Sequence, residues 1–305
     1  METPSFRLRY NILRDGDNNL KGKIAEEVVK NLLRRSLLCK ILKTKGLKCC
    51  STADLKGLFI YFAYKKSITT HLGQLEDVLE EVRKGGDPIS EVIRKLSKEL
   101  EDTRSLIREY GRKIGFKTIK CATSINECFI CGEEIKQERI YDETFKTYLV
   151  KMRGHVIHYD IRLCERCYEF YEKIVEDKQV NFLKLLKRFA VLHHDFVDLK
   201  NVLQLDNTLK VLSYLDKEDL TFLREYYGAG KLGSPSLDVL CVSDDSEKYL
   251  IEVKSSSKYL KPSLSLLSKK EQIVAKEAKK RGFKILLATV RFGGNWNVII
   301  ELCSV

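Results

Sequence analysis

Three side chains in the last third of the chain are of the types that act on phosphates. Asp238 lies in the apolar run SLDVLCV, Glu252 and Lys254 lie in KYLIEVK, and thirteen residues separate the two acids. The polar turn SDDSE joins the runs, and apolar segments flanking such a turn predict a pair of strands. Glu252 and Lys254 are two apart, so a strand points both to one face. Antiparallel pairing would bring Asp238 near Glu252. Adjacent carboxylates raise each other's pKa unless a cation lies between them. A divalent ion with oxygen ligands, Mg²⁺ or Mn²⁺, meets that need. The lysine could hold a water or stabilise charge on a phosphate, and together these are the parts of phosphodiester hydrolysis. The plainer alternative is a hairpin with a surface salt bridge at Glu252. Acids inside apolar runs weigh against it, because unpaired charge is costly there.

A second constellation lies upstream. Cys128 and Cys131 form CFIC, Cys164 and Cys167 form CERC, and 32 residues separate the pairs. Each C-x-x-C turn can present two thiolates to one ion, and four thiolates close a tetrahedral zinc shell with no position open to substrate. CFICGEEI reads as a zinc knuckle and CERCYEFYEKIVE as a helix opening on its own ligands, an arrangement that resembles a treble-clef finger. His155 and His158, in GHVIHYD, lack the partners an HNH nuclease site needs. His193 and His194, in LHHDF, read as packing or surface residues. The other six of the ten cysteines, Cys39, Cys49, Cys50, Cys121, Cys241 and Cys303, show no framework. Without a secretory signal, this pattern favours reduced thiols and one metal site over disulfides.

The acid–acid–lysine pattern resembles the PD-(D/E)xK nuclease superfamily. It runs Pro235, Ser236, Leu237, Asp238, then Glu252, Val253, Lys254, with two residues between the proline and the acid. KGKIAEEVV at 21–29 resembles the first helix of resolvase-like members, which implies Glu26 as a third metal carboxylate, with Glu27 the lesser choice. SKKEQIVAKEAKKRGFKILLATV resembles the family's next helix and strand, which implies that Gln272 projects toward the active site. The resemblance implies a restriction-endonuclease-like mixed α/β sheet flanked by helices. It also implies Mg²⁺ or Mn²⁺ held by Glu26, Asp238, Glu252 and the Val253 carbonyl, with Lys254 placing the attacking water and Gln272 supporting substrate or water. Lys269, Lys270, Lys276, Lys279, Lys280 and Arg281 could lie along DNA phosphates, or simply form a solvated helix face.

These residues need elements to hold them. Residues 18–38 carry Ile24, Val28, Leu32 and Leu33 on one helical face. GLFIYFAY at 57–64 could be a strand or a buried helix. Residues 68–113 read as a helical hairpin, with Leu72, Leu75, Leu79 and Val82 in one stripe and Ile89, Val92, Ile93, Leu96, Leu100, Ile107 and Tyr110 in the next. Between them Asp87 suits an N-cap and Pro88 the first helical position. Helical patterning returns over 171–225. KILLATVRF and WNVIIELCS then add strands, and strands alternating with a helix predict an α/β sheet. The expected organisation is a first piece of nuclease core (1–50), a helical hairpin insertion (51–118), the four-cysteine module (119–170), a helical connector (171–225) and the main core (226–305).

The 305 residues carry 55 Lys and Arg against 43 Asp and Glu, a net charge of +12. That excess suits a polyanionic partner, although scattered surface charge would also produce it. No apolar run approaches the ~20 residues of a membrane span. The N-terminus lacks a signal-peptide core, so an intracellular protein of the cytoplasm or of the nucleoid or nucleus is expected. The leading function is a metal-dependent DNA endonuclease with a structural Zn²⁺. The alternatives are a non-catalytic DNA-binding protein on a nuclease-like core and a zinc-organised protein-interaction module. The helical hairpin could serve a homodimer or pack within one chain.

Overall fold

The computed structural model describes residues 5–9, 24–29, 46–123, 127–134, 163–176, 180–228, 237–256, 263–292 and 297–304. The chain divides into two compact units. One comprises Met1–Pro88 with Val202–Val305, the other Ile89–Asn201.

The first unit is built on a six-stranded sheet. In chain order its strands are β1 (Ser5–Arg9), β2 (Lys48–Ser51), β3 (Val239–Val242), β4 (Lys248–Ser256), β5 (Phe283–Phe292) and β6 (Asn297–Ser304). In space they run β1-β6-β5-β4-β3-β2. Among the described residues only β4 and β5 pair in parallel. Parallel neighbours need a crossover, and a helix at Lys269–Lys280 supplies it. Tyr249 and Ile251 of β4 join Val239, Cys241, Leu286, Ala288 and Val290 in one buried cluster. Ala25 and Val29, from the helical residues 24–29, cover that face. Leu240, Leu250, Ile285 and Leu287 have the opposite parity and are also buried. Both faces of the sheet are therefore covered, as near-continuous apolar runs require.

GLFIYFAY is helical, part of α1 (Thr52–Tyr64). Ser51 caps it, its hydroxyl accepting from the Asp54 N–H at 3.0 Å, and Leu55, Leu58, Phe59 and Phe62 are buried at helical spacing. The expected hairpin at 68–113 falls across the two units. Its first stripe is split into α2 (Lys66–Leu72) and α3 (Leu75–Arg83) by Gly73, whose φ of +80° no helix accepts. Gln74 and Asp77 then restart the chain through a capping box. The buried stripe becomes Leu75, Val78 and Leu79, and α3 packs on α7 (Asp206–Leu212) within the sheet unit. The second helix, α4 (Pro88–Lys113), lies in the other unit apart from its first residue.

The second unit holds α4, α5 (Glu165–Glu176) and most of α6 (Val180–Leu203). Phe116 anchors it, packing edge-on against Phe170 at 4.3 Å and stacking with Phe182 at 5.8 Å between ring centres. Phe129 beside Cys128 meets Phe189 at 5.3 Å.

One expectation about cysteine chemistry is overturned. Cys49 and Cys241 form a disulfide. They lie directly opposite in the β2–β3 ladder, and both are fully buried. The sequence separation of 192 concealed the pair, because only the strand register makes them neighbours. Among the described residues no helix is long and apolar enough to cross a membrane.

Candidate functional site

The β3–β4 hairpin sets the geometry of the carboxylate cluster. Its turn closes with the Ser243 N–H donating to the Glu247 carbonyl at 2.9 Å. Counting outward in antiparallel register, every second pair should exchange backbone hydrogen bonds: Cys241 with Tyr249, Val239 with Ile251, then Leu237 with Val253. The last exchange is replaced. The Val253 N–H donates instead to Asp238 Oδ2 at 2.8 Å. The Leu237 N–H donates instead to the Tyr227 hydroxyl at 3.4 Å. The strands part here, and the Val253 carbonyl is left outside the β3–β4 ladder.

Asp238 is held from two sides. Its side chain takes the Val253 N–H, and its carbonyl accepts from the Thr52 N–H at 3.0 Å. Tyr227 stands at the end of α8 (Lys217–Tyr227), capped at its start by Asp216. Lys248 ties that helix to β4 through Asp219, at 2.8 and 2.9 Å to the two oxygens.

Glu252 and Lys254 share a face of β4, as their spacing predicts. Glu252 is 3% exposed. Its Oε1 accepts from Lys254 Nζ. Among the described residues its Oε2 is buried without any hydrogen-bond partner, a costly state for a carboxylate oxygen. Burial pushes the Glu252 carboxyl up to about 8, Asp238 adds to the rise, and Lys254 opposes it. Burial likewise lifts Asp238 to about 6, against the Val253 hydrogen bond, and the charge of Glu26 adds to the rise. Glu26 is thus electrostatically part of the cluster, while Glu27 is exposed.

Two neighbouring residues of the crossover helix, α9 (Lys269–Lys280), are held differently. The Gln272 side-chain amide donates to the Leu267 carbonyl at 2.9 Å, an anchor on the helix's own leading turn. Glu271 reaches the cluster, with both carboxylate oxygens 3.4 Å from Lys254 Nζ. The signal that could have found it is S-x-x-E at 268–271, a capping box that fixes the fourth residue's carboxylate beside the helix start. On the same helix Lys269, Lys276 and Lys280 are exposed. Lys280 pairs with Glu277 at 2.7 Å, and Arg281 lies over the Phe222 ring at 5.0 Å.

The four cysteines converge as their spacing predicts. All four sulfurs of Cys128, Cys131, Cys164 and Cys167 lie within 4.8 Å of one another and could hold one metal ion. Gly132, at φ +71°, lets the first pair turn, and its N–H donates to the Cys128 carbonyl at 2.8 Å. Cys164 immediately precedes α5, and Cys167 lies in its first turn. The thiol of Cys167 bonds the Cys128 sulfur and pulls it toward thiolate, while burial pushes Cys131 up. His155 and His158 lie outside the described residues. His193 stacks on Phe189, which agrees with a packing role.

The chain matches no protein-family model, no curated protein and no solved structure.

Proposed function

We propose that the protein is a metal-dependent nuclease that hydrolyses DNA phosphodiester bonds at a PD-(D/E)xK-type site. The observation that carries this reading is Glu252 Oε2, buried without a partner beside Asp238 and Lys254. The charges of Glu26 and Glu271 act on Asp238, those of Asp238 and Glu271 act on Glu252, and Lys254 is the ammonium among them. A purely structural cluster would have little use for an orphaned oxygen.

The oxygen donors suit a hard divalent cation. Glu26, Asp238, Glu252 and the Val253 carbonyl would hold Mg²⁺ or Mn²⁺, which supplies positive charge to the phosphate as it is attacked. Lys254 lies at the rim of the cluster, 28% exposed, where its ammonium can also meet a water or a phosphate oxygen besides Glu252 and Glu271. Tyr227 and Thr52 keep Asp238 in place by fixing the backbone on either side of it. The element order supports the family resemblance: a helix over 24–29, the β3–β4 motif hairpin, then α9 and β5. Most of the chain's positive excess falls in the sheet unit, which suits a polyanionic substrate. The four cysteines would hold Zn²⁺ as a structural ion, since their closed shell leaves no position for substrate.

The test is cleavage of labelled single-stranded, duplex, flapped and branched DNA with Mg²⁺, with Mn²⁺ and with neither added. EDTA is best avoided, because it competes for thiolate-bound zinc. Cutting that needs the added ion and is lost in Lys254→Ala, with circular dichroism unchanged, supports the reading. Salt-sensitive binding without cutting of any substrate would instead leave a DNA-binding protein on a nuclease-like core.

A further inference from the structure

Lys254 has two carboxylate partners, and they differ in what else they must do. Glu252 is the buried one, with an oxygen left over. Glu271 has a second task that fixes it. Its Oε2 accepts from the Ser268 N–H at 2.6 Å, while the Ser268 hydroxyl accepts from the Glu271 N–H at 3.3 Å. This reciprocal cap holds the Glu271 carboxylate at the N-terminus of α9, where the helix dipole also favours negative charge. Glu271 is 14% exposed in its side chain, against 28% for Lys254.

We propose that Glu271 is a positioning residue that keeps the Lys254 ammonium at the site when a divalent ion engages Glu252. This rests on the nuclease reading above. A carboxylate that turns its charge toward a cation holds its lysine less strongly, and a lysine stem with four rotatable bonds would then swing into solvent. Glu271 is tied to the crossover helix rather than to the β3–β4 hairpin, so it keeps its position whatever Glu252 does. The crossover helix thereby does more than connect two strands. It supplies the fixed end of an ion pair whose other end works on the substrate.

The decisive variant is Glu271→Gln. A glutamine carbonyl can still accept from the Ser268 N–H, so the cap survives while the charge on Lys254 is lost. The variant should lose about tenfold or more in kcat with KM little changed, the mark of an interaction used in the transition state. Glu271→Asp, which restores charge at shorter reach, should recover part of that loss. Ser268→Ala removes only the hydroxyl arm of the cap and keeps the backbone N–H that holds the Glu271 carboxylate. It should lower the melting temperature while holding kcat within about twofold.

A readout independent of cleavage is the acylation of Lys254 by an N-hydroxysuccinimide ester, measured by peptide mass spectrometry with and without Mn²⁺. Mn²⁺ should raise Lys254 labelling several-fold in Glu271→Gln and little in the natural chain. Equal labelling in both proteins, or full activity of Glu271→Gln, overturns the proposal. So does a Mn²⁺ affinity that falls tenfold in Glu271→Gln, since Glu271 would then be a metal ligand. If the natural chain cuts no DNA, the nuclease reading fails, and the labelling result still decides whether Glu271 anchors Lys254.

Discussion

The carboxylate cluster and the cysteine cluster both bring charged or chargeable groups together, by opposite means. The cysteines come from two short turns, and their four sulfurs close around one point. The carboxylates come from residues 26, 238, 252 and 271, carried by a helix, a strand end, a strand and a helix cap. Four thiols at tetrahedral reach leave nothing over. The carboxylates leave Glu252 Oε2 buried and unpaired. A closed shell suits an ion that stays and holds the chain. An open, repulsive shell suits an ion that also has work to do on a ligand.

Removing a thiol should have the largest effect. Cys128→Ser should lower bound zinc from one per chain to none by elemental analysis and unfold much of the Ile89–Asn201 unit by circular dichroism. Closed thiolate sites in small fingers contribute on the order of 10 kcal/mol. Retained zinc and full helicity in that variant would erase the contrast.

The Cys49–Cys241 disulfide puts two other thiols to a different use. It closes a loop with a sequence separation of 192, and chain-entropy reasoning assigns such a bridge about 5 kcal/mol. Cys49→Ser with Cys241→Ser should lower the denaturation midpoint of the sheet unit and leave zinc content unchanged.

Lys254→Ala should cost cleavage on the order of 10²–10³-fold, by removing a cation poised for charge that develops in the transition state. The circular dichroism spectrum should be unchanged, while the melting temperature should fall, because Glu252 Oε1 loses its donor.

Subtler is the pH dependence. Burial first and the charge of Asp238 second raise Glu252 to about 8; burial raises Asp238 to about 6 against the Val253 hydrogen bond, with the charges of Glu26 and Glu271 adding. A raised carboxyl binds its proton more tightly when folded, so its contribution is fully present below the ordinary carboxylate range. It is lost as pH rises through the folded values. Melting temperature measured without added Mg²⁺ should therefore fall between about pH 5 and pH 8. Mg²⁺ should restore most at the alkaline end, and Glu252→Gln should flatten the curve. A melting temperature that rises over this range would refute the buried-repulsion account.

The smallest effect belongs to the cap of α1. Ser51→Ala should lower stability by about 1 kcal/mol in a urea melt without touching either cluster's metal.

Much of this was legible in sequence because it is local. Two C-x-x-C turns state their own geometry. The Glu252–Lys254 spacing states a shared strand face, and SDDSE between apolar runs states a hairpin. Helix α9 and strands β5 and β6 follow from periodicity for the same reason. What the chain did not reveal depends on distant partners. Strand β2 is four residues long, too short to announce itself, yet its register with β3 creates the disulfide. Gly73 divides a stripe that periodicity alone reads as continuous.

Glu271 and Gln272 show the limit most sharply. Neighbours on one helix, they face directions 100° apart. Which of them met Lys254 depended on how α9 docked on the sheet. Residue type and spacing by themselves determined the chemistry available: four thiols for one ion, and two acids with a lysine for another. Only the tertiary structure decided that the β3–β4 ladder opens at Val253, that Glu252 keeps an oxygen without a partner, and that Glu271 holds the lysine. Those outcomes rest on packing between elements far apart in the chain, where no local preference reaches.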